Sequence, residues 1–324
     1  MQSGIKTTPL QWFQALWKFS RPHTIVGTSL SVIGLALIAL STQYRGGDLF
    51  TIGQTSSTAL VFYPTFLVQI IAALAPSLAA NIYIVGLNQC TDIDIDRINK
   101  PHLPLASGEF SFRQGVGIVA CTGLLAIGGA GIQGLKLFWT VALSMVMGTV
   151  YSLPPLRLKR FPFWAALCIF GVRGGVVNVG FFLHFRSLLG GGGPIPLKVW
   201  GLTGFVILFA FAIAIFKDIP DREGDLKFHI RTLTVRLGGP TVFRLACWVL
   251  SLAYLGIVGL SLWGLPATHP GWILSTHLGI LVLFWYRCQR VNLSSHLQVT
   301  QFYQWIWKLF FLEYVIFPIA CLLP

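Results

Sequence analysis

Nine apolar stretches recur along 324 residues, near 22–42, 63–90, 112–133, 136–153, 162–186, 197–218, 240–264, 271–287 and 303–323, each suited to crossing roughly 30 Å of hydrocarbon. A backbone inside hydrocarbon must satisfy its own N–H and C=O groups, so these stretches dictate helices. The expectation is an all-α membrane protein with nine transmembrane helices. Composition agrees, with 55% hydrophobic and 10% charged residues against about a quarter charged in soluble domains. The narrowest boundary is near Leu135, where only Gly134 and Lys136 separate one apolar run from the next. The chain divides into an N-terminal segment, 1–21, and a single transmembrane domain, 22–324.

Basic residues concentrate on the cytoplasmic side of a membrane protein. With nine spans, one side takes the N-terminus and the loops after the second, fourth, sixth and eighth helices. That side holds 18 of the 23 Lys and Arg, the other holds Arg45, Lys136, Arg186 and Lys198, and Arg173 lies within the fifth span. The N-terminus is therefore expected in the cytoplasm. The net charge of +13 follows from orientation and anion binding, without nucleic acid as a partner. Residues 1–18 show no apolar core followed by a small-residue cleavage site and are short for a transit peptide, so the first span is expected to direct insertion. The six cysteines are dispersed without a Cys-x-x-Cys pair and read as packing residues. Gly190 to Gly193 reads as a turn, since no Lys-Ser/Thr follows it.

Against this background the acids are concentrated. Seven of the ten Asp and Glu fall in Asp92, Asp94, Asp96 and Asp218, Asp221, Glu223, Asp225, leaving Asp48, Glu109 and Glu313 outside. Carboxylates are costly beside a bilayer, and both packets lie at helix ends on the basic side. A single Asp near Lys or Arg is ordinarily a solvated loop residue. Two packets of similar spacing, facing each other across a bundle mouth, would instead hold Mg2+, whose remaining coordination positions suit phosphate oxygens. If the second helix continues through the first packet, Asn88, Asp92 and Asp96 share a face and Asp94 points elsewhere. Asp218, Asp221 and Asp225 share a face at i, i+3, i+7, whereas Glu223 does not; Pro220 and Gly224 point to a helix end there.

The Asn-x-x-x-Asp-x-x-x-Asp motif at Asn88, Asp92 and Asp96, with Asp-x-x-x-Asp at Asp221 and Asp225, resembles the UbiA-type superfamily of membrane prenyltransferases, over nearly the whole chain. Flanking words resemble its homogentisate prenyltransferase branch: Arg21-Pro-His-Thr24, Asn99 to Glu109 (NKPHLPLASGE), Tyr151 to Arg160 (YSLPPLRLKR) and Thr232 to Gly238 (TLTVRLG). One departure is His229, where many relatives have glycine before Ile230.

The resemblance implies nine helices around a central cavity, in which a prenyl diphosphate, with phytyl the favoured chain, is activated by two Mg2+ ions and its chain passes to homogentisate with loss of CO2, in tocopherol biosynthesis. It implies Asp92, Asp96, Asp221 and Asp225 as metal ligands supported by Asn88 and Asp218. Arg97, Lys100, Lys159, Arg160, Lys217 and Arg222 are the candidates for diphosphate contacts, Lys159 first. The acceptor's carboxylate needs a cation, for which Arg21 and Arg173 are candidates; Arg173 is unusual within an apolar span. Tyr151, beside a Pro-Pro turn, is the aromatic residue favoured in the site. Trp139, Trp305 and Trp307 read as membrane-interface residues and His184 as a helix-end residue near the outer interface. A photosynthetic bacterial membrane is the expected location. Two alternatives stay open: another aromatic acceptor or a solanesyl donor on the same scaffold, and a divalent-cation or anion transporter. Transport sites sit near the bilayer midplane, and these acids lie at helix ends.

Overall fold

The computed structural model describes residues 8–44, 56–228 and 232–323, with backbone alone over 56–63. Lys6, Arg45, Asp48, His229 and Arg231 lie outside the described residues. The chain is helical throughout these regions: α1 Pro9–Phe19, α2 Pro22–Gln43, α3 Ser56–Thr91, α4 Ile93–Asn99, α5 Phe112–Gln133, α6 Leu135–Ser152, α7 Pro162–Leu188, α8 Leu197–Phe216, α9 Arg222–Lys227, α10 Gly239–Leu262, α11 Pro270–Cys288 and α12 His296–Leu322, with shorter turns between.

Eight of these helices, α2, α3, α5, α6, α7, α8, α10 and α12, are long and apolar enough to cross a membrane, and the protein is a multi-pass integral membrane protein. The count differs from nine because α11, though 19 residues long, carries His277, Arg287 and a terminal proline that dilute its apolar character. Its central polar residue faces inward: His277 Nε2 lies 3.3 Å from Glu313 Oε1 of α12, both side chains fully buried, whereas Arg287 in the last turn is exposed. Trp272 Nε1 donates to the Ile316 carbonyl (3.0 Å) and the His269 N–H to the Ala320 carbonyl (2.8 Å). At the other end Phe284 meets Phe302 and Trp305. Helix α11 therefore runs antiparallel along α12.

Neighbour contacts close a ring from α2 through α3, α5, α6, α7, α8, α10, α11 and α12 back to α2. Helix α8 is apolar on every side (LKVWGLTGFVILFAFAIAIF) and 72% of its most apolar window is buried, against 28% for α5. An all-round hydrophobic helix is a buried helix, and α8 accordingly packs in the interior while α5 faces outward. Between α5 and α6 the chain breaks at Gly134 with φ 111°, a backbone region that glycine enters freely. The long helix after residue 197 ends at Phe216, short of the expected 218, with Lys217 at its cap. Helix α1 was not expected: it packs Ala15 and Phe19 onto Leu105, Phe110 and Val119, its start fixed by a capping box between Thr8 and Gln11.

Candidate active site

Helix α3 ends where the first acidic packet begins. The Asp92 N–H bonds the Gln89 carbonyl in a tightened turn, the Asp96 N–H then bonds the Asp92 carbonyl, and α4 resumes at Ile93. The helix is therefore interrupted at Asp92 and not continuous as expected, but the turn keeps the phase closely enough that Asn88, Asp92 and Asp96 all line one cavity. Asp94 is exposed and takes Arg97 Nη1 at 2.8 Å on the outer surface.

Asp92 is held from several sides. Asn88 Nδ2 donates to its Oδ2 (2.9 Å), and Arg157 Nη2 (3.0 Å) and Lys159 Nζ to its Oδ1. Arg21 Nη2 donates to Asn88 Oδ1 at 3.2 Å and stands 4.0 Å from Asp96 Oδ2, an oxygen that is buried and accepts no hydrogen bond.

The second packet follows α8. Lys217 Nζ donates to the Tyr151 hydroxyl at 3.1 Å and lies 3.6 Å from Asp218 Oδ1. Asp221 precedes α9, and its Oδ2 receives Lys100 Nζ at 2.5 Å. Asp225 is buried on α9, whereas Arg222 and Glu223 are exposed. The two packets are fastened together, because the Gly224 N–H donates to Asn99 Oδ1 at 3.0 Å. A Cβ at residue 224 would sit 2.3 Å from that oxygen, so this close approach needs glycine.

Burial disfavours the charged form of a carboxylate. It pushes Asp225 up to about 7, with the charges of Asp218 and Asp221 adding to the effect. It pushes Asp218 up to about 6, partly opposed by Lys217, and raises Asp96 against the pull of Arg21 and Lys100. Burial also draws Lys159 down to about 8 despite Asp92.

The cavity at this junction has a volume of about 950 Å³. Its mouth carries Asn88, Asp92, Asp96, Lys100, Tyr151, Lys159, Lys217, Asp218, Asp221, Asp225 and Arg21. Deeper, its wall includes Ile84, Val141, Met147, Ile169, Val172, Phe181 and Ile213. Three expected contacts are absent from it: Arg97, Arg160 and Arg222 are exposed and turned away. In the loop after α6 the left-handed residue Arg157 (φ 38°) and the single turn Leu158–Arg160 alternate the bases, so Arg157 and Lys159 reach Asp92 while Arg160 points out.

Arg173 lies in a π-helical turn, Gly171–Val176, that interrupts α7, a distortion that recurs at functional sites. It faces the cavity beneath Trp307 and Phe310, 5.0 and 5.3 Å from their ring centres. Trp307 is thus a buried cavity residue and not an interface anchor, because α12 turns it inward onto Arg173. Trp139 is exposed and Trp305 stacks on Phe284. His184 is buried against Phe185, inside the bundle. Arg157, Asn99 and His23 stand inside the sequence words quoted above without having been expected in the site, and Trp307 was expected at the membrane interface.

A sequence profile described as the UbiA prenyltransferase family matches residues 49–312. The chain belongs to the UbiA prenyltransferase family. Among its relatives, a homogentisate phytyltransferase from Synechocystis sp. is 47% identical over 311 residues, covering 96% of each chain. Homogentisate phytyltransferase 1, chloroplastic, from Arabidopsis thaliana is 38% identical over 94% of this chain and 74% of its own. The solved structure of a UbiA homolog from Archaeoglobus fulgidus bound to GPP and Mg2+ superposes with a TM-score of 0.59 at 17% identity, over 95% of this chain and 99% of that one. That likeness establishes a UbiA-like fold.

Proposed function

We propose that this chain is a Mg2+-dependent homogentisate phytyltransferase: it moves a phytyl group from phytyl diphosphate to homogentisate, with loss of CO2, in tocopherol biosynthesis. The observation that carries the reading is a pair of interlocked acidic packets, interleaved with Lys and Arg, at the mouth of a cavity whose deeper wall is apolar. The names of the relatives at 47% and 38% identity supply the donor and acceptor.

The donor set fits Mg2+. Among the described residues no three His, Cys, Asp or Glu side chains form a ready-made metal cluster; Mg2+ takes one or two carboxylates and completes its shell with water and phosphate oxygens, and Asp92, Asp96, Asp221 and Asp225 at the cavity mouth offer such carboxylates. The unpartnered Asp96 Oδ2 is one oxygen such an ion would engage. Asp92, Asp96, Asp221 and Asp225 would hold two ions, with Asn88 and Asp218 in support. When bound, Mg2+ supplies neutralisation of the charge that builds on the departing diphosphate.

The side chains do the rest. Lys100, Lys159, Lys217, Arg157 and Arg21 are each engaged with a carboxylate, an asparagine or a phenol here, and the same nitrogens can turn to phosphate oxygens. They orient the diphosphate so that its charge develops where positive charge already stands. Tyr151, fixed by Lys217, presents a ring beside the allylic carbon, and the apolar wall below excludes water while cationic character lasts.

On this reading α11 is a ninth span, the acidic mouth and the N-terminus face the cytoplasm, residues 22–324 act as one transmembrane domain after an N-terminal segment, and the host membrane is that of a photosynthetic bacterium. Purified membranes given homogentisate, Mg2+ and a panel of prenyl diphosphates, with products identified by mass, test it. Phytylated product that disappears with EDTA is the expected result. Full turnover in metal-free buffer, or no product from homogentisate, contradicts it.

A further inference from the structure

Arg173 is the site's least explained cation. Other cations lining the cavity have partners: Lys18 meets Glu109, Arg21 meets Asn88, Lys100 meets Asp221, Lys159 meets Asp92 and Lys217 meets Asp218. Lys308 has no such partner but is exposed. Arg173, within a membrane-spanning helix, meets no carboxylate among the described residues. A cation held in apolar surroundings without a counter-charge is costly, and one that borders a cavity is offered to an anion.

Its surroundings restrict which anion. Trp307 and Phe310 lie over the guanidinium, and a Cβ at Gly27 of α2 would come within 3.2 Å of Nη1. The group is thus bounded by rings and by the small residue opposite, and it lines the cavity. Edge-on N–H pairs match the two in-plane oxygens of a carboxylate. Depth separates this seat from the diphosphate end: Gly27 lies six residues into the helix from Arg21, or about 9 Å at 1.5 Å per residue. The lysines that match a multiply charged diphosphate are at the mouth, whereas here a single positive charge balances a single negative one. His23 and Trp307, with ring centres 4.9 Å apart, put aromatic surface between the two levels, where a flat ring can lie.

We infer that Arg173 seats the carboxylate of the aromatic acceptor, directing its ring up toward the acidic mouth. This rests on the proposed function in taking the acceptor to be an aromatic acid, and it prefers Arg173 over Arg21, which is engaged with the first acidic packet.

The test compares homogentisate with methylhydroquinone, the same ring with the carboxylate lost as CO2, in full-length wild type, Arg173→Met and Arg173→Lys. Neutralising the charge should raise KM for homogentisate by at least about thirtyfold, leave KM for phytyl diphosphate within about twofold, and abolish the preference for homogentisate over methylhydroquinone. Arg173→Lys should recover some of that preference. Parallel losses on both acceptors, an unchanged KM for homogentisate, or a rise confined to phytyl diphosphate would overturn the assignment. Should Arg173→Met not fold, Arg173→Gln is the neutral variant to measure. If the wild type ignores homogentisate, the functional reading fails by itself. The comparison is then made between whichever aromatic carboxylate is accepted and its decarboxylated analogue, and a wild type that accepts neutral rings alone overturns the role of Arg173.

Discussion

Three aspartates two residues apart, 92, 94 and 96, carry the same formal charge at the same end of the bundle, yet the structure gives them different surroundings. Asp92 and Asp96 are buried at the cavity mouth, while Asp94 pairs with Arg97 in solvent, where such pairs contribute little to stability. Asp92→Ala and Asp225→Ala should each lower the initial rate by at least about a hundredfold, roughly 2.7 kcal/mol of transition-state stabilisation, and Asp94→Ala should stay near wild type. Equal damage from all three, at saturating Mg2+ and equal folded protein, would mean that the packet acts as a diffuse acidic loop. The buried acids also set a pH dependence. Asp218 and Asp225 titrate near 6 and 7 in the folded chain, above the usual 3.8. A raised carboxylate contributes stability that is complete below the unfolded value and is lost as pH rises through the folded one. Metal-free protein should therefore melt at a lower temperature at pH 8 than at pH 5, Mg2+ should narrow the gap, and Asp225→Asn should flatten the slope; a melting temperature that climbs with pH in EDTA would contradict this. These acids were legible in the sequence because carboxylates are scarce in so apolar a chain. Which of Arg157, Lys159 and Arg160 reaches Asp92 was not, since the answer depends on a left-handed turn at Arg157.

At the scale of elements, the site depends on two short helices, α4 and α9, that neither apolar periodicity nor length announces. Helix α4 follows the end of α3 at Thr91 and α9 follows α8, which ends two residues before the expected 218, and the two short helices are fastened to each other. The fastening is the Gly224 N–H on Asn99 Oδ1. Gly224→Ala should cut activity by at least about tenfold, because the new Cβ would collide with the Asn99 amide and push the second packet from the first. Residues in contact couple, so the double variant Asn99→Ala/Gly224→Ala should be no worse than Asn99→Ala alone. Strictly additive losses would place the effect of Gly224 elsewhere. The sequence showed Gly224 and Pro220 as breakers of a helix; it could not show that the break closes onto a residue 125 positions away. The long helices, by contrast, were readable as elements, since an apolar run long enough to span the bilayer needs no partner to define it; their ends were less so, with α3 and α12 each starting seven residues before the expected 63 and 303.

For the whole molecule, the open matter is how many times the chain crosses the membrane, and α11 decides it. By composition α11 is the weakest of the long helices, and a count by hydropathy leaves eight, which would return the C-terminus to the side of the N-terminus. Packing argues for nine. Helix α11 is 19 residues long, about 28 Å at 1.5 Å per residue, which is enough to span the hydrocarbon. Its first turn bonds near the end of α12 through Trp272 and His269, its middle meets Glu313 through His277, and its last turns reach Phe302 of α12 and Cys247 of α10. Trp272 and His277 spend their polar atoms on these contacts and Arg287, in the last turn, lies over the Trp305 ring, while Leu278, Val282 and Leu283 face outward, the arrangement expected of a helix that crosses the bilayer. A helix lying along the surface could not touch both ends of α12. Reporters fused at the two termini should therefore read opposite sides, with the N-terminus in the cytoplasm beside the lysines and arginines of the acidic mouth. A reporter placed between Gln289 and Ser295 should read the same side as the N-terminus. If both termini report one side while the 289–295 reporter reads the other, α11 does not cross, and the ring of helices closes with eight spans.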